Sequence, residues 1–158
     1  MTIGFGFDSH RLVSGRRLII GGVEIPNNNI GPIGHSDGDA LIHAVIDAIL
    51  GGLGLGDIGR HFPDSEDRWR DAASTSLLSI IRNMLIENSF EVEWIDSTVI
   101  LEKPRLSPYI EEMRARIGSC LDIGAERINI KTKTAEGMGL IGSGEGIACF
   151  AVCLLKRI

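Results

Sequence analysis

Thr2–His10 reads TIGFGFDSH, an apolar, extended start that ends on a carboxylate and an imidazole two residues apart. On a strand, residues i and i+2 point to the same face, so Asp8 and His10 stand side by side. Further along, His35–Val45 reads HSDGDALIHAV, the first turns of a helix that carries His43. Two nitrogens and one oxygen form a mixed, borderline-soft donor set that suits Zn²⁺. Three protein ligands leave a coordination position open, as catalytic zinc sites do. A D-x-H pair is weakly specific by itself, and a lone helix histidine is more often a surface residue. The four histidines, however, are His10, His35, His43 and His61, all within the first 61 of 158 residues. Such clustering favours a site.

Outward from these stretches, extended segments are expected at Thr2–Leu12, Arg17–Ile25, Glu93–Glu102, Arg127–Ala135 and Gly146–Leu155. The last, GIACFAVCLL, is nearly continuous in apolar residues, as expected of a strand buried on both faces. Three helices are expected. The first covers Gly38–Leu50, capped by Ser36 or Asp37 and ended by Gly51-Gly52. The second spans Ala72–Asn88, with Leu77, Leu78, Ile81, Met84 and Leu85 at helical spacing. The third opens at Ser107-Pro108 and continues to Leu121. The fold class is therefore α/β (α+β), a mixed sheet of about five strands with helices packed on one face. No linker, repeat or low-complexity stretch divides the chain, so residues 1–158 are expected to form one domain.

Hydrophobic content is 44% and charged content 23%, ordinary for a globular protein. A net charge of −5 argues against nucleic acid as a partner. It also means that any phosphate must be neutralised locally, by metals and backbone N–H groups. Cys120, Cys149 and Cys153 are odd in number and form no C-x-x-C pair, which suits a reduced cytoplasmic compartment. Neither a signal peptide nor an apolar run of membrane-spanning length is evident, so no membrane association is expected.

On the first helix, Asp39, His43 and Asp47 fall at i, i+4 and i+8 and would line one polar flank. Asp47 could then orient the His43 imidazole; an ordinary solvated face is the alternative. His35 and Ser36 stand at the same helix's N-terminus, where free N–H groups attract phosphate. Gly137–Gly142 matches G-x-G-x-x-G, but an apolar strand follows it instead of a helix, so the dinucleotide reading fails. Thr132, Thr134 and Glu136 would share a strand face. Glu136 is a candidate oxygen ligand for Mg²⁺ or Mn²⁺, against the alternative of an ordinary loop carboxylate.

Taken together, GFGFDSHRL, IIGGVEIP, HSDGDALIHAVIDAILG, GDIGRHFPDS and GSGEGIAC resemble the 2-C-methyl-D-erythritol 2,4-cyclodiphosphate synthase family from residue 3 to about residue 155. The resemblance implies a homotrimer with active sites between subunits, each holding Zn²⁺ and a second divalent ion. It implies cyclisation of 4-diphosphocytidyl-2-C-methyl-D-erythritol 2-phosphate with release of CMP, in the non-mevalonate isoprenoid pathway. Asp8, His10 and His43 would bind zinc, and Glu136 would help place Mg²⁺ or Mn²⁺. His35 and Thr134 would align the phosphates. Ser9, Ser36, Asp57, Ile58, Gly59, Phe62, Pro63, Asp64, Ser65 and Glu66 would surround the methylerythritol phosphate. Leu101, Glu102, Lys103, Pro104, Arg105, Leu106 and Ser107, with Lys133, Thr134 and Ala135, would hold the cytidine end from a neighbouring subunit.

The chain departs from the family pattern in two places. Lys133-Thr134-Ala135-Glu136 stands where T-T-T-E is usual, and Ser143 replaces an arginine in the loop that begins Gly139-Leu140. The second change bears on Leu140 and Ser143 as ligand contacts and on any isoprenoid diphosphate site at the trimer axis. Two other readings use the same residues. A non-catalytic trimeric metal or isoprenoid-phosphate binder would keep the scaffold, and a zinc hydrolase would use a metal-bound water. No separate general base stands out for the latter beyond Asp39 or Asp47.

Overall fold

The computed structural model describes residues 1–158 and contains seven strands and five helices. The strands are β1 (Thr2–Ser14), β2 (Leu18–Ile20), β3 (Val23–Ile25), β4 (Ile30–Pro32), β5 (Phe90–Ile100), β6 (Ile128–Lys133) and β7 (Gly146–Arg157). The helices are α1 (Ala40–Leu53), α2 (Ile58–His61), α3 (Ser74–Glu87), α4 (Ile110–Leu121) and α5 (Gly139–Gly142). Five strands form one mixed sheet in the order β4-β1-β7-β5-β6, antiparallel except for the parallel β5–β6 pair.

The segment Arg17–Ile25 is not one extended strand. It folds back as the hairpin β2–β3, a separate two-stranded sheet. Gly21 and Gly22 form its two-residue turn with φ of 60° and 74°, the left-handed pair that a tight hairpin turn requires. The fifth strand of the main sheet is instead the short edge β4.

Helix α1 starts and ends later than its sequence suggests. Asp39, not Ser36 or Asp37, is the cap: its side chain accepts a hydrogen bond from Ile42 N, and Gly54 closes the other end in the left-handed conformation. Gly51 and Gly52 sit inside the last turn. A Cβ on Gly52 would lie 2.8 Å from Leu155 Cδ1, so packing, not termination, explains that residue. Helix α3 begins at Ser74, and the Ser107–Tyr109 turn is a separate 3₁₀ piece ahead of α4.

The helices cover one face of the sheet. Along β1, Gly4 and Gly6 face α1 so closely that a Cβ would meet Ala48 O at 1.7 Å and Ala44 O at 1.9 Å, respectively. The alternate residues face outward and stay uncovered: Ile3 is 72% exposed, Phe5 62% and, across the sheet, Trp94 45%. Strand β7 is therefore not buried on both faces. Cys149, Ala151, Cys153 and Leu155 lie in the core, whereas Val152 is exposed and Phe150 and Leu154 are half-buried. Its apolar run is continuous because the outward face is apolar too.

Substituting Gly6→Ala tests the seating of α1. The helix must lift to admit the methyl group, and overpacking of this kind costs about 1–3 kcal/mol, occasionally more. Urea denaturation is expected to show at least that loss. An unchanged midpoint would mean that α1 is not held against β1.

Candidate active site

Strand alternation places Asp8 and His10 on the same face as Gly4 and Gly6, beneath the start of α1. Because α1 runs opposite to β1, its Ala48 lies over Gly4 and its Ala44 over Gly6. His43, one residue earlier, then reaches Asp8. Asp8 Oδ2 is 2.8 Å from His10 Nε2 and 3.1 Å from His43 Nδ1, and the two ring nitrogens are 3.4 Å apart. Zinc bonds of about 2.0–2.1 Å at tetrahedral angles would set ligand atoms roughly 3.3 Å apart. The three atoms thus surround one point at spacings that fit a metal, and this trio could hold one.

Electrostatics agrees. Burial works to raise the Asp8 carboxyl, but hydrogen bonds and attraction from His10 and His43 prevail and lower it to about 2. Burial works against charge on His43, while Asp8 first and then Asp39 and Asp37 raise it. A carboxylate held so firmly ionised between two imidazoles is a ready cation site.

The trio lies at one end of a cavity of about 520 Å³ lined also by Ser36, His35, Ile58, Gly59, Pro63 and Asp64. Gly34, Phe62, Ser65, Trp69 and Leu77 complete the wall, with Phe62 and Trp69 edge to face at 5.0 Å. Three of the four clustered histidines meet here. His61 does not; its Nε2 is 3.0 Å from Leu55 O. Asp57 caps α2 through Arg60 N, and Glu66 offers its carbonyl at 3.4 Å from His35 Nε2.

The polar flank expected on α1 does not form. His43 is 8% exposed, Asp39 is fully buried, and Asp47 accepts from Ile58 N at 2.8 Å without touching the imidazole. Asp39 instead accepts from Gly21 N, Gly22 N and Ile42 N, tying the hairpin turn to the helix. Within α1 it takes the Ile42 N–H, and His35 and Ser36 precede this cap. Ser36 Oγ lies 3.1 Å from His43 Nε2.

Residues expected at the cytidine and second-metal positions lie elsewhere on the chain. Glu102, Lys103, Pro104, Arg105 and Thr134 line a different cavity of about 660 Å³ with Pro26, Asn27 and Asn28. Lys133 ends β6, and Ala135 N donates to Glu102 Oε2. Glu136 is paired with Thr134 Oγ1 at 3.1 Å, not with the Asp8 trio. Leu101 and Leu106 are buried in the core, and Ser107 begins the 3₁₀ turn. Ser9 and Leu140 border a third, largely apolar cavity beside Phe7, Met138 and Phe150. Ser143 is exposed, and its Oγ donates within its own loop, in reach of Leu140 O and Glu145 Oε1.

Sequence reading missed Arg16, Asp37 and Ser74 as site residues. Arg16 donates to the carbonyls of Pro32, Gly34 and Ser36, clamping the segment that carries His35. No local pattern marks their roles, since the contacts that join them to the site span 16 or more positions of chain.

The YgbB family matches residues 1–156. The 2-C-methyl-D-erythritol 2,4-cyclodiphosphate synthase of Syntrophus aciditrophicus is 51% identical over 157 residues, 99% of this chain and 98% of that one. Among solved structures, the bifunctional IspDF from Campylobacter jejuni superposes with a TM-score of 0.95 at 39% identity, covering 99% of this chain and 42% of that longer one. IspF of Plasmodium falciparum, solved as a CDP complex, gives 0.86 at 34% identity over 99% and 96% of the two chains. The fold and these relationships define an enzyme, a phosphorus–oxygen lyase of the cyclodiphosphate synthase kind. The chain belongs to the YgbB family, that of the 2-C-methyl-D-erythritol 2,4-cyclodiphosphate synthases of the methylerythritol phosphate route to isoprenoids.

Asp39 yields a pH prediction. Burial first, with Asp37 nearby, raises its carboxyl to about 6, although hydrogen bonds from Ile42, Gly22 and Gly21 pull the other way. The unfolded group titrates near pH 4 (about 3.9), so the folded state binds this proton more tightly. Its contribution is present below about pH 4 and is lost as pH rises through about 6. An Asp39→Asn variant loses the Gly22 hydrogen bond but carries no buried charge. Its stability deficit against the wild type is expected to shrink between those pH values in thermal melts. A deficit constant to neutral pH would show that the N–H groups compensate the charge fully.

Proposed function

We propose that the enzyme converts 4-diphosphocytidyl-2-C-methyl-D-erythritol 2-phosphate into 2-C-methyl-D-erythritol 2,4-cyclodiphosphate and CMP. The observation that carries this reading is the Asp8–His10–His43 trio, with its metal-compatible spacing, opening onto the cavity that holds His35 and Ser36. An oxygen of the substrate's own 2-phosphate attacks the β-phosphorus. The bond from that phosphorus to the bridging oxygen breaks, and CMP leaves with the oxygen. The substrate supplies the nucleophile, so the protein's work is positioning and charge neutralisation.

Asp8, His10 and His43 would hold Zn²⁺, which when bound supplies Lewis-acid polarisation of a phosphoryl oxygen. Glu136 would help hold Mg²⁺ or Mn²⁺ on the diphosphate, balancing charge in a chain of net −5. His35 and Thr134 would orient the phosphates, and the Ile58–Gly59 and Phe62–Ser65 walls would enclose the methylerythritol and exclude water. Glu102–Arg105 with Lys133–Ala135 would take the cytidine end. We take the whole chain as one domain, consistent with its single core cluster of 33 buried residues.

On one chain the cytidine-side cavity and the trio's cavity share no lining residue. We therefore propose a homotrimer in which neighbouring subunits complete each site, built on the uncovered apolar face of Ile3, Phe5, Phe7 and Val152. No helix is long and apolar enough to cross a membrane.

Incubation with the diphosphocytidyl substrate tests the activity. CMP with cyclic diphosphate is the expected product pair, while linear methylerythritol diphosphates would point to a hydrolase and overturn the proposal. His43→Ala is expected to lose bound zinc and nearly all turnover. Because His43 is buried, it should also lose some stability, without the large cavity of a core leucine truncation. Full zinc occupancy in the folded variant would remove His43 from the ligand set.

Phe5→Asp places a charge at every copy of the outward face. Sedimentation velocity is expected to show the wild type as a trimer and this variant as an inactive, folded monomer. A wild-type monomer with full activity would sink the assembly.

A further inference from the structure

The His43 ring has two nitrogens with different tasks, and hydrogen-bond direction sorts them. Nδ1 faces Asp8 and His10. Nε2 points the other way, 2.9 Å from Ser74 Oγ, a side chain on the first residue of α3 that is fully buried. The Ser74 hydroxyl in turn makes a short hydrogen bond to Asp37 Oδ1. Asp37 also accepts from Ser74 N at 2.9 Å and Asp39 N at 3.1 Å. With three donors aimed at it, the Asp37 carboxylate accepts only. The Ser74 hydrogen is therefore committed to Asp37, and the Ser74 oxygen is left to accept from His43 Nε2–H. Without a cation, Nδ1–H donates to the Asp8 carboxylate at 3.1 Å; when a cation replaces that hydrogen, the proton held on Nε2 by Ser74 leaves the Nδ1 lone pair for the cation. The opposite tautomer would keep a hydrogen at that point and exclude a metal.

We infer that Asp37 and Ser74 are positioning residues that hold His43 in the Nε2–H form and so set the affinity of the Asp8–His10–His43 centre for zinc. This rests on the metal-centre reading proposed above. Neither residue reaches the cavity lined by the trio, so both act through the imidazole. Ser36 Oγ, 3.1 Å from the same Nε2, already accepts from Gly38 N and remains on the cavity wall with its hydroxyl hydrogen uncommitted.

Competitive chelator titration of zinc into the full-length protein tests the relay, combined with long-range ¹⁵N–¹H imidazole spectra that report which nitrogen carries the proton. Ser74→Ala keeps the backbone bond from Ser74 N to Asp37, so metal-free melting should change little. Zinc affinity should fall roughly 10- to 100-fold, the range usual for outer partners of ligating histidines. Asp37→Asn can turn its amide N–H toward Ser74, reversing the hydroxyl so that it donates to Nε2. That variant should weaken zinc similarly and shift the metal-free ring toward Nδ1–H. Ser74→Thr, which keeps the hydroxyl, should restore most of the affinity. Wild-type zinc affinity and an unchanged Nε2–H spectrum in folded Ser74→Ala would overturn the inference. A wild-type protein that binds no zinc would instead defeat the metal-centre reading, and the spectra would still decide whether Asp37 and Ser74 set the tautomer.

Discussion

Everything at the candidate site depends on how closely α1 lies against β1. Two glycines on the strand and two fully buried alanines on the helix let the backbones approach to a distance that no other side chain would tolerate. The approach has a direction as well as a distance. With the helix antiparallel to the strand, the inward positions of β1 meet successively earlier turns of α1, first glycine against alanine and then aspartate against histidine. The same alternation that buries Gly4 and Gly6 therefore delivers Asp8 and His10 to His43. Because bonds to a metal tolerate only small errors in ligand separation, rigid packing of a strand and a helix supplies the necessary accuracy better than a loop would.

Three aspartates around α1 anchor the rest of the cavity. Asp37 caps α3 from outside, replacing the side chain that Ala73 lacks, and its charge suits the positive end of that helix. Asp39 joins α1 to the β2–β3 turn, and Asp47 holds the first residue of α2. Each carboxylate thus ties a different segment to α1 or to the residues just before it. Arg16 does the same with a cation, gripping the carbonyls on either side of His35. In an acidic chain these charges are spent largely on backbone N–H and C=O groups.

The outward face of the sheet carries a second constraint. Phe5 and Phe7 pack with Phe150 at centroid distances of 6.2 and 5.0 Å, forming an aromatic patch that water covers in a lone chain. Apolar surface of this extent favours association.

Much of this was legible in the sequence. Strand periodicity places Asp8 beside His10, helical spacing marks α3, and the strand after Gly142 rules out a dinucleotide fold, because these features depend on neighbours within a few residues. Periodicity also suggests that Asp39, His43 and Asp47 share a flank. It cannot tell a solvated flank from one sealed by a hairpin and a second helix. The Gly21-Gly22 turn shows the same limit: it looks like a pause in one strand and is in fact the bend that brings N–H groups to Asp39. Likewise, GIACFAVCLL reads as doubly buried, since composition records that both faces are apolar but not which one the chain itself covers. The tertiary structure alone decided the roles of Arg16, Asp37 and Ser74. The partners that join them to the site lie 16 to 37 residues away, and a hydrogen bond acquires its donor and acceptor only when folding brings those distant segments within 3 Å or so of each other.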